Sequence, residues 1–414
     1  MNSERLLQRF LRYVKLDSMA NPRATTYPSS DGQWQLGRLL VQELHEIGLQ
    51  DVEQDAHGLI YATLPATLPA TVSHSVPVVA FNAHLDTSPE TTATNVQPQV
   101  IRNYQGGDIV LPGDTSRVIR VAENPELTRL LGATLITTDG HTLLGGDDKA
   151  GIAVIMEMAA YLSEHPEIPH GPVRILFTCD EEIGHGVDHV DLQKLGAHVA
   201  YTLDGAGDNE IDTETFSADV AVVTIRGVNI HPSIANGRMV NAIRAAADFV
   251  ALLPRDRLAP EVTTGRDGFL HPYDLAGGVA EVTLRILLRD FQTAALAAQA
   301  ELLHSVARQV ESSVPGISID VAVQAQYRNL GDGLAAEPRA VQYAVAAHER
   351  LGRTAKLTSV RGGTDGSQFT ARGLPTPNLS TGQHNPHSPL EWACLDEMTR
   401  ATQVLVELVQ VWAG

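Results

Sequence analysis

The chain alternates between stretches with the apolar spacing of amphipathic helices and short apolar runs of the kind that form buried strands. The first helical stretch lies near the N-terminus, where apolar residues recur at helical spacing, at Leu6, Leu7, Phe10, Leu11 and Val14. Up to about residue 216 the pattern predicts strands at 78–81, 173–178 and 198–203 and a helix at 151–162. Strands that alternate with helices predict an α/β layer in which helices cover a sheet.

A different order of elements begins near Ser217. We predict a strand at 219–226, a helix at 239–253, a strand at 279–289, a helix at 291–314 and a strand at 317–326, with room for one more short strand between 262 and 272. The rest of the chain returns to a helix at 340–351, a strand at 375–380 and a helix at 395–412. We therefore predict an α/β domain in two parts, 1–216 and 328–414, interrupted by an inserted α+β domain at 217–327.

Composition narrows the range of partners. The chain has 414 residues, which suits two domains, and a net charge of −19 without a block rich in Lys and Arg. An acidic protein of this kind is a poor partner for nucleic acid or for an anionic membrane. No apolar run is long enough to span a bilayer, and two cysteines, Cys179 and Cys394, make no disulfide framework. We expect a cytoplasmic protein with no nucleic-acid or membrane partner.

Two adjacent carboxylates, Glu181 and Glu182, follow the apolar run 173–178. Neighbouring anions repel each other and are costly to bury unless a cation lies close to them. The cation that this position favours is a metal ion. Because successive residues leave a strand in opposite directions, one carboxylate could bind a metal and the other a water molecule.

Four other short segments carry acids and histidines, and most of these fall where a predicted strand ends. Ligands of open α/β sheets bind outside the carboxyl ends of the strands. Two imidazoles and three carboxylates suit a pair of zinc, cobalt or manganese ions. Asp86 is placed to orient the imidazole of His84, two residues earlier, by accepting its other N–H. The candidate residues outside the glutamate pair are His84, Asp86, Asp147, Asp204 and His387.

Each candidate also has a simpler structural interpretation when it is taken alone. Asp204 precedes Gly205 and could be a turn residue, and His84 could be a satisfied core histidine. Asp147 and Asp148 could cap the helix that follows them, and we expect Asp148 to do only that, with Lys149 as its solvated partner. Taken together, five such segments favour a metal site, because burying so many acids without a metal is costly.

Longer motifs carry a resemblance to a known family. HLDTSPE (84–90), TDGHTLLGGDDKAGIA (138–153), FTCDEEIGHG (177–186), AYTLDGAG (200–207), RGGTDG (361–366) and HSPLEW (387–392) resemble those of peptidase T. These are the tripeptide aminopeptidases of the cocatalytic zinc peptidase superfamily, which includes carboxypeptidase G2 and succinyl-diaminopimelate desuccinylase. The resemblance covers essentially the whole chain. It departs at Gly146, where relatives commonly have alanine, and at Cys179, where they commonly have proline.

The resemblance implies roles for the candidates. His84, Asp147 and Asp204 would bind one metal, and Asp147, Glu182 and His387 the other, with Asp147 as the bridge. Glu181 would activate a metal-bridging water as general base and then act as the acid, while Asp86 orients His84. The fold implied is a three-layer catalytic domain with an inserted ferredoxin-like lid that often dimerises, so that a homodimer is expected.

In the inserted domain, His231 matches a histidine that polarises the scissile carbonyl, in its own or a neighbouring subunit, while Arg289 and Arg361 match positions that hold the substrate's carboxylate or backbone. The expected function is a two-metal aminopeptidase, with zinc as the first choice of metal, that acts on tripeptides. The alternatives are a dipeptidase or an N-acyl-amino-acid deacylase on the same scaffold, or a non-catalytic metal-binding relative. The intact Glu181 argues against the last of these.

Overall fold

The computed structural model describes residues 1–69 and 75–414. They form two compact units, each of which is built from separate stretches of the chain. The first unit consists of Met1–Thr213, Gly333–Thr358 and Thr364–Gly414, and the second of Glu214–Asp332 and Ser359–Gly363. The insertion predicted at 217–327 lies within the second unit.

The described strands are β1 Gln50–Gln54, β2 Ile60–Leu64, β3 Val79–His84, β4 Gln99–Ile101, β5 Ile109–Val110, β6 Val118–Ile119, β7 Leu135–Thr137, β8 Val173–Thr178, β9 Val199–Ala206, β10 Glu210–Thr215, β11 Ser217–Arg226, β12 Phe269–Gly277, β13 Glu281–Asp290, β14 Ser318–Tyr327, β15 Lys356–Val360, β16 Asn378–His384 and β17 Trp392–Cys394.

The described helices are α1 Ser3–Tyr13, α2 Asp31–Ile47, α3 Gly146–Glu164, α4 Leu192–Leu195, α5 Ala242–Leu252, α6 Thr293–Ser313, α7 Leu330–Leu334, α8 Arg339–Arg350, α9 Asp365–Ala371 and α10 Leu395–Ala413. Short 3-10 turns lie at Pro125–Arg129, Glu181–Ile183, Pro232–Ile234 and Pro260–Val262.

The first unit is organised around a mixed sheet with the strand order β1-β2-β8-β3-β9-β16-β17-β7-β4. The four central strands, β8, β3, β9 and β16, are parallel to their neighbours in that group. Strand β3 is buried along its whole length, as is usual for a parallel strand that is covered on both faces. Helix α3 packs against β3, β9 and β16, and α10 packs against β16. The carboxyl ends of the four parallel strands therefore meet at one edge of the sheet.

The second unit contains an antiparallel sheet with the order β12-β13-β11-β14. Along the chain its elements run β11, α5, β12, β13, α6 and β14, which is the β-α-β-β-α-β order of ferredoxin-like folds. Strands β11 and β13 pair over their whole length, from Ser217 opposite Asp290 to Arg226 opposite Glu281. One hydrophobic core joins their buried side chains to those of α5 and α6, including Phe249 and Leu303.

Most of the predicted elements are present, but some of their bounds differ. Strand β8 has the predicted bounds, whereas β16 begins three residues later than predicted and continues to His384. Strand β12 is longer and later than the short strand predicted between 262 and 272. Its second half is exposed, so the sequence carries no apolar run to mark it. Helix α2 was not predicted.

Candidate metal centre

Candidate ligands converge at the carboxyl ends of the parallel strands of the first unit. His84 is the last residue of β3, and Glu181 and Glu182 begin a 3-10 turn shortly after β8. Asp204 lies inside β9, near its end, and not beyond the strand as the sequence suggested. His387 follows β16 by three residues in the left-handed backbone region, with φ of 60°.

The first donor set consists of His84, Asp147 and Asp204, whose ligand atoms all lie within 4.8 Å of one another. Nε2 of His84 is 3.0 Å from Oδ1 of Asp147 and 3.8 Å from Oδ1 of Asp204. The side chain of His84 is only 3% exposed, so this nitrogen faces the acids and is shielded from solvent. The structure brings together the residues that the resemblance assigned to one metal.

The second donor set consists of Asp147, Glu182 and His387, within the same limit. Nε2 of His387 is 2.9 Å from Oε2 of Glu182 and 3.4 Å from Oδ2 of Asp147. Asp147 thus offers Oδ1 to the first set and Oδ2 to the second, as a bridging carboxylate would. On its other side, Nδ1 of His387 lies 3.3 Å from the carboxylate of Glu90.

The pKa values of several residues in the two donor sets are shifted, because these residues are buried close to one another. Burial, followed by the charge of Asp147, raises the pKa of Glu182 to about 8 and that of Asp204 to about 7. Burial would lower the pKa of His387, but its bonds to Asp147 and Glu182 raise that pKa to about 11. The raised pKa values mean that these acids bind protons more readily than free carboxylates do, so binding a metal to them would release protons.

The donor set fits a pair of divalent metal ions. It offers two imidazoles and three carboxylates, the ligands that zinc takes in proteins. Oε1 of Glu182 is buried and, among the described residues, has no hydrogen-bond partner. Buried polar atoms normally have partners, so an orphaned carboxylate oxygen inside a donor set is a position where a cation fits. Carboxylate ligands suit manganese as well, so the set does not single out one metal.

Asp86 links the glutamate pair to the strand that carries His84. Its side chain is fully buried, and its carboxylate accepts the backbone N–H of Glu181 at 3.1 Å and that of Glu182 at 3.0 Å. Nδ1 of His84 lies 3.5 Å from the Asp86 carboxylate but only 3.1 Å from the backbone oxygen of Asp86. The carboxylate is therefore bonded more closely to the glutamate turn than to the imidazole.

Glu181 lies in this turn and outside both donor sets, but the charges of His84 and Asp204 in the first set and of Glu182 in the second act on it. Burial is the main cause that raises the pKa of Glu181 well above its ordinary value, and Asp204 and Asp365 add to it. The glutamate pair stands in a 3-10 turn and not in an extended strand, so the strand alternation expected from the sequence does not apply to its side chains. A carboxyl group beside two donor sets can exchange a proton with a molecule bound there.

Two predictions about the GGDDKAG segment need correction. Lys149 is not solvated: it is fully buried and donates to the backbone oxygen of Leu16 at 2.7 Å. Asp148 does cap α3, because its carboxylate accepts the N–H of Gly151, but it also accepts the N–H of His84 at 3.1 Å. Both residues are fully buried in the first unit, so neither is a surface residue.

Several residues that touch the ligands were not predicted. Glu391 accepts three backbone N–H groups from the loop that carries Asp147. Gln383 donates to the carboxylate of Asp204 at 3.3 Å, and Asn378 accepts the backbone N–H of Asp204 at 2.9 Å. Glu391 stands in HSPLEW, one of the resembling motifs, which was the only signal in the sequence that pointed to any of them.

The remaining candidates belong to the second unit. His231 is exposed, and its Nδ1 lies 2.7 Å from the hydroxyl of Ser233. Arg289 is 9% exposed and donates to the backbone oxygens of Asp219 and Leu288.

Arg361 donates to the backbone oxygens of Gly265 and Asp267 and to the hydroxyl of Thr263. Its guanidinium carbon also lies 5.1 Å from the ring centroid of Phe216. These bonds within the second unit already use several donors of Arg289 and Arg361.

None of the helices in the described ranges has the length and apolar character of a membrane-spanning segment.

Comparison with known proteins shows the family of the chain. The model of peptidase family M20/M25/M40 matches residues 138–411. Peptidase T of Geobacillus thermodenitrificans is 43% identical over 409 residues, which is 99% of this chain and 98% of that protein. The crystal structure of aminopeptidase PepT from Bacillus cereus superposes with a TM-score of 0.76 at 25% identity and covers all of both chains. A tripeptidase from Staphylococcus aureus superposes with a TM-score of 0.77 at 24% identity, over 100% of this chain and 99% of that one.

The predicted α/β class and the predicted family are confirmed by these matches. The chain belongs to peptidase family M20/M25/M40 and, within it, to the peptidase T group of metallo-aminopeptidases.

Proposed function

We propose that the chain releases the N-terminal residue from tripeptides and needs two divalent metal ions to do so. The observation that carries the proposal is the sharing of Asp147 between two donor sets, with a further carboxyl group, Glu181, beside them. The names of the relatives support the substrate class, since one is an aminopeptidase and another is a tripeptidase.

His84, Asp147 and Asp204 would hold one ion, and Asp147, Glu182 and His387 the other. When bound, the ions would supply Lewis-acid polarisation of the scissile carbonyl and a more acidic attacking water. Zinc is our first choice because it favours imidazole and carboxylate ligands, and cobalt and manganese are the alternatives.

Glu181 takes the proton of the attacking water and passes it to the leaving amine. Its position supports this role, because the turn that carries it is held by the Asp86 carboxylate through the N–H groups of both glutamates. Asp86 and its own backbone carbonyl also fix the ring of His84.

The second unit would act as the lid. By the motif resemblance, His231 polarises the carbonyl oxygen of the substrate, and Arg289 and Arg361 hold its carboxylate or backbone. The bonds of Arg361 within the second unit leave it fewer free donors, so of the two arginines it has the weaker support.

We also propose that the protein works in the cytoplasm and forms a homodimer through the lid. Measurement of the molecular size in solution would test the homodimer.

The substrate class is tested with a panel of free tripeptides, dipeptides and N-acylated amino acids at equal concentration. Tripeptides with a free amine should give the highest kcat/KM and release their first residue. Faster hydrolysis of dipeptides or acylated amino acids would instead favour the corresponding alternative on the same scaffold.

The role of Glu181 is tested by Glu181→Gln, which keeps the size of the side chain. We expect about two equivalents of metal to stay bound while kcat falls by ~10²–10⁴. Glu301→Gln is the matched control, because Glu301 is an exposed glutamate on α6 that is paired with Arg308, and its kcat should not change. Near-normal turnover of Glu181→Gln with metal bound would refute the assignment of the base.

A further inference from the structure

Glu391 is a buried carboxylate with an unusual set of partners. Glu391 is only 1% exposed. Oε2 accepts the backbone N–H of Leu144 at 2.7 Å and of Gly145 at 2.8 Å, and Oε1 accepts that of Asp147 at 3.0 Å. In the described part of the chain, no Lys, Arg or His side chain donates to it. Its hydrogen bonds are therefore directed at one loop, 144–147.

That loop needs an outside acceptor because it has none of its own. Asp147 and Asp148 have non-helical backbone angles, so the regular part of α3 begins only after them and is capped by Asp148. The N–H groups of Leu144, Gly145 and Asp147 precede that regular part, so the helix offers them no acceptor. Glu391, 244 residues away in sequence from Asp147, supplies the missing acceptor.

The backbone of Glu391, in turn, is bonded to the segment that carries His387. Between His387 and Glu391 the chain makes a tight turn, in which the N–H of Glu391 donates to the backbone oxygen of Ser388 at 3.0 Å. The hydroxyl of Thr91 donates to the backbone oxygen of His387 at 2.7 Å, which holds the other end of the turn. Glu391 thus joins the loop of Asp147, the ligand shared by both donor sets, to the loop of His387.

We propose that Glu391 is a positioning residue of the metal centre: it holds the backbone of 144–147 so that the Asp147 carboxylate faces both donor sets. The inference rests on the proposed two-metal function. Glutamine at this position keeps the size of the side chain but has only one oxygen, and its NH₂ group would face an N–H. At least one bond to the loop is lost, and Asp147 is free to turn away.

The test compares metal binding by wild type, Glu391→Gln and Glu157→Gln, by calorimetric titration of the metal-free proteins with zinc and by the visible spectrum of bound cobalt. Glu157 is the matched control, because it is fully buried, accepts the backbone N–H of Asn2 and lies outside both donor sets. Glu391→Gln should bind metal ~10–100-fold more weakly and change the cobalt spectrum. Glu157→Gln should lower the melting temperature and keep the metal affinity of wild type.

Metal affinity and a cobalt spectrum that match wild type in Glu391→Gln would overturn the proposal. If the wild type itself bound no metal, the proposed function would fail instead, so the two failures are distinguishable. If Glu391→Gln does not fold, hydrogen exchange on the metal-free wild type decides: the amides of Leu144, Gly145 and Asp147 should be protected, and rapid exchange at all of them would refute the tether.

Discussion

The buried carboxylate of Asp86 contacts both the glutamate turn and the ring of His84, and replacing Asp86 by asparagine tests both contacts. The carboxylate accepts two backbone N–H groups, one on each oxygen, from Glu181 at 3.1 Å and from Glu182 at 3.0 Å. It also faces Nδ1 of His84 at 3.5 Å, while the backbone oxygen of Asp86 is nearer to that nitrogen, at 3.1 Å. Asparagine keeps the volume and the backbone oxygen but has only one side-chain acceptor.

These contacts set the expected magnitudes. One N–H of the glutamate turn would face the amide NH₂ of asparagine and lose its partner, which costs ~1–3 kcal/mol of unfolding free energy when the group is buried. Losing a carboxylate behind a metal-binding histidine typically weakens metal binding by ~10–100-fold. Because His84 keeps its nearer backbone acceptor, we expect the lower end of that range, about tenfold or ~1.4 kcal/mol.

Urea unfolding of the metal-free proteins measures the first effect, and calorimetric titration with zinc measures the second. Asp55→Asn is a suitable control, because Asp55 also accepts two backbone N–H groups, from His57 and Leu59, but both on Oδ1. Asparagine can keep both of those bonds, so the change should stay within ~0.5 kcal/mol. If Asp86→Asn unfolds at the same urea concentration as wild type and binds zinc as tightly, the reasoning is refuted.

Two further predictions concern the metals and the acid stability. Exhaustive chelation should abolish peptidase activity, and zinc, cobalt or manganese should restore it; activity that survives complete metal removal, measured by elemental analysis, would contradict the two-metal proposal. Far from the metal centre, a hydrogen bond from Arg339, opposed by burial and aided by His198, lowers the pKa of Glu337 to about 2. A carboxyl group whose pKa is lowered by folding stabilises the fold at pH values above its pKa in the unfolded chain, near 4.5, and this stabilisation is lost as the pH falls towards 2. The urea midpoint of wild type should therefore exceed that of Glu337→Gln at pH 7 and approach it below pH 4.5. A difference between the two midpoints that does not depend on pH would contradict this.

The elements that carry the candidate ligands could be predicted from the sequence because their signals are local. Strand β8 is a mainly apolar run with one charged residue, Arg174, and acidic residues follow it closely; the structure gives it the predicted bounds. His84 and the glutamate pair could then be placed at one edge of the sheet, because the ends of neighbouring parallel strands lie together. Strand β12 could not be predicted in the same way, since its exposed half has no apolar pattern.

Burial of charged side chains was the weakest part of the sequence argument. Lys149 follows two aspartates, and on that ground it was predicted to be solvated, yet it is fully buried. Burial lowers the pKa of Lys149 to about 8, and its ammonium is bonded to the backbone oxygen of Leu16. The acceptor lies 133 residues away in the sequence, so no pattern around Lys149 could have indicated it.

The acids that contact the candidate ligands or their backbone are harder to predict from the sequence than the candidate ligands themselves. A metal ligand must be one of a few residue types, and the candidate ligands other than Asp147 also lie at or near strand ends, so together they leave a pattern in the sequence. Asp86, Asp148 and Glu391 instead accept backbone N–H groups of the ligand-bearing segments, and every residue except proline offers such a group. The partner of such an acid is fixed by where the chain passes in the fold and not by which residues it carries. Spacing and the motif resemblance therefore assigned Asp86 to the imidazole of His84, whereas the structure places its two carboxylate oxygens closer to the N–H groups of Glu181 and Glu182.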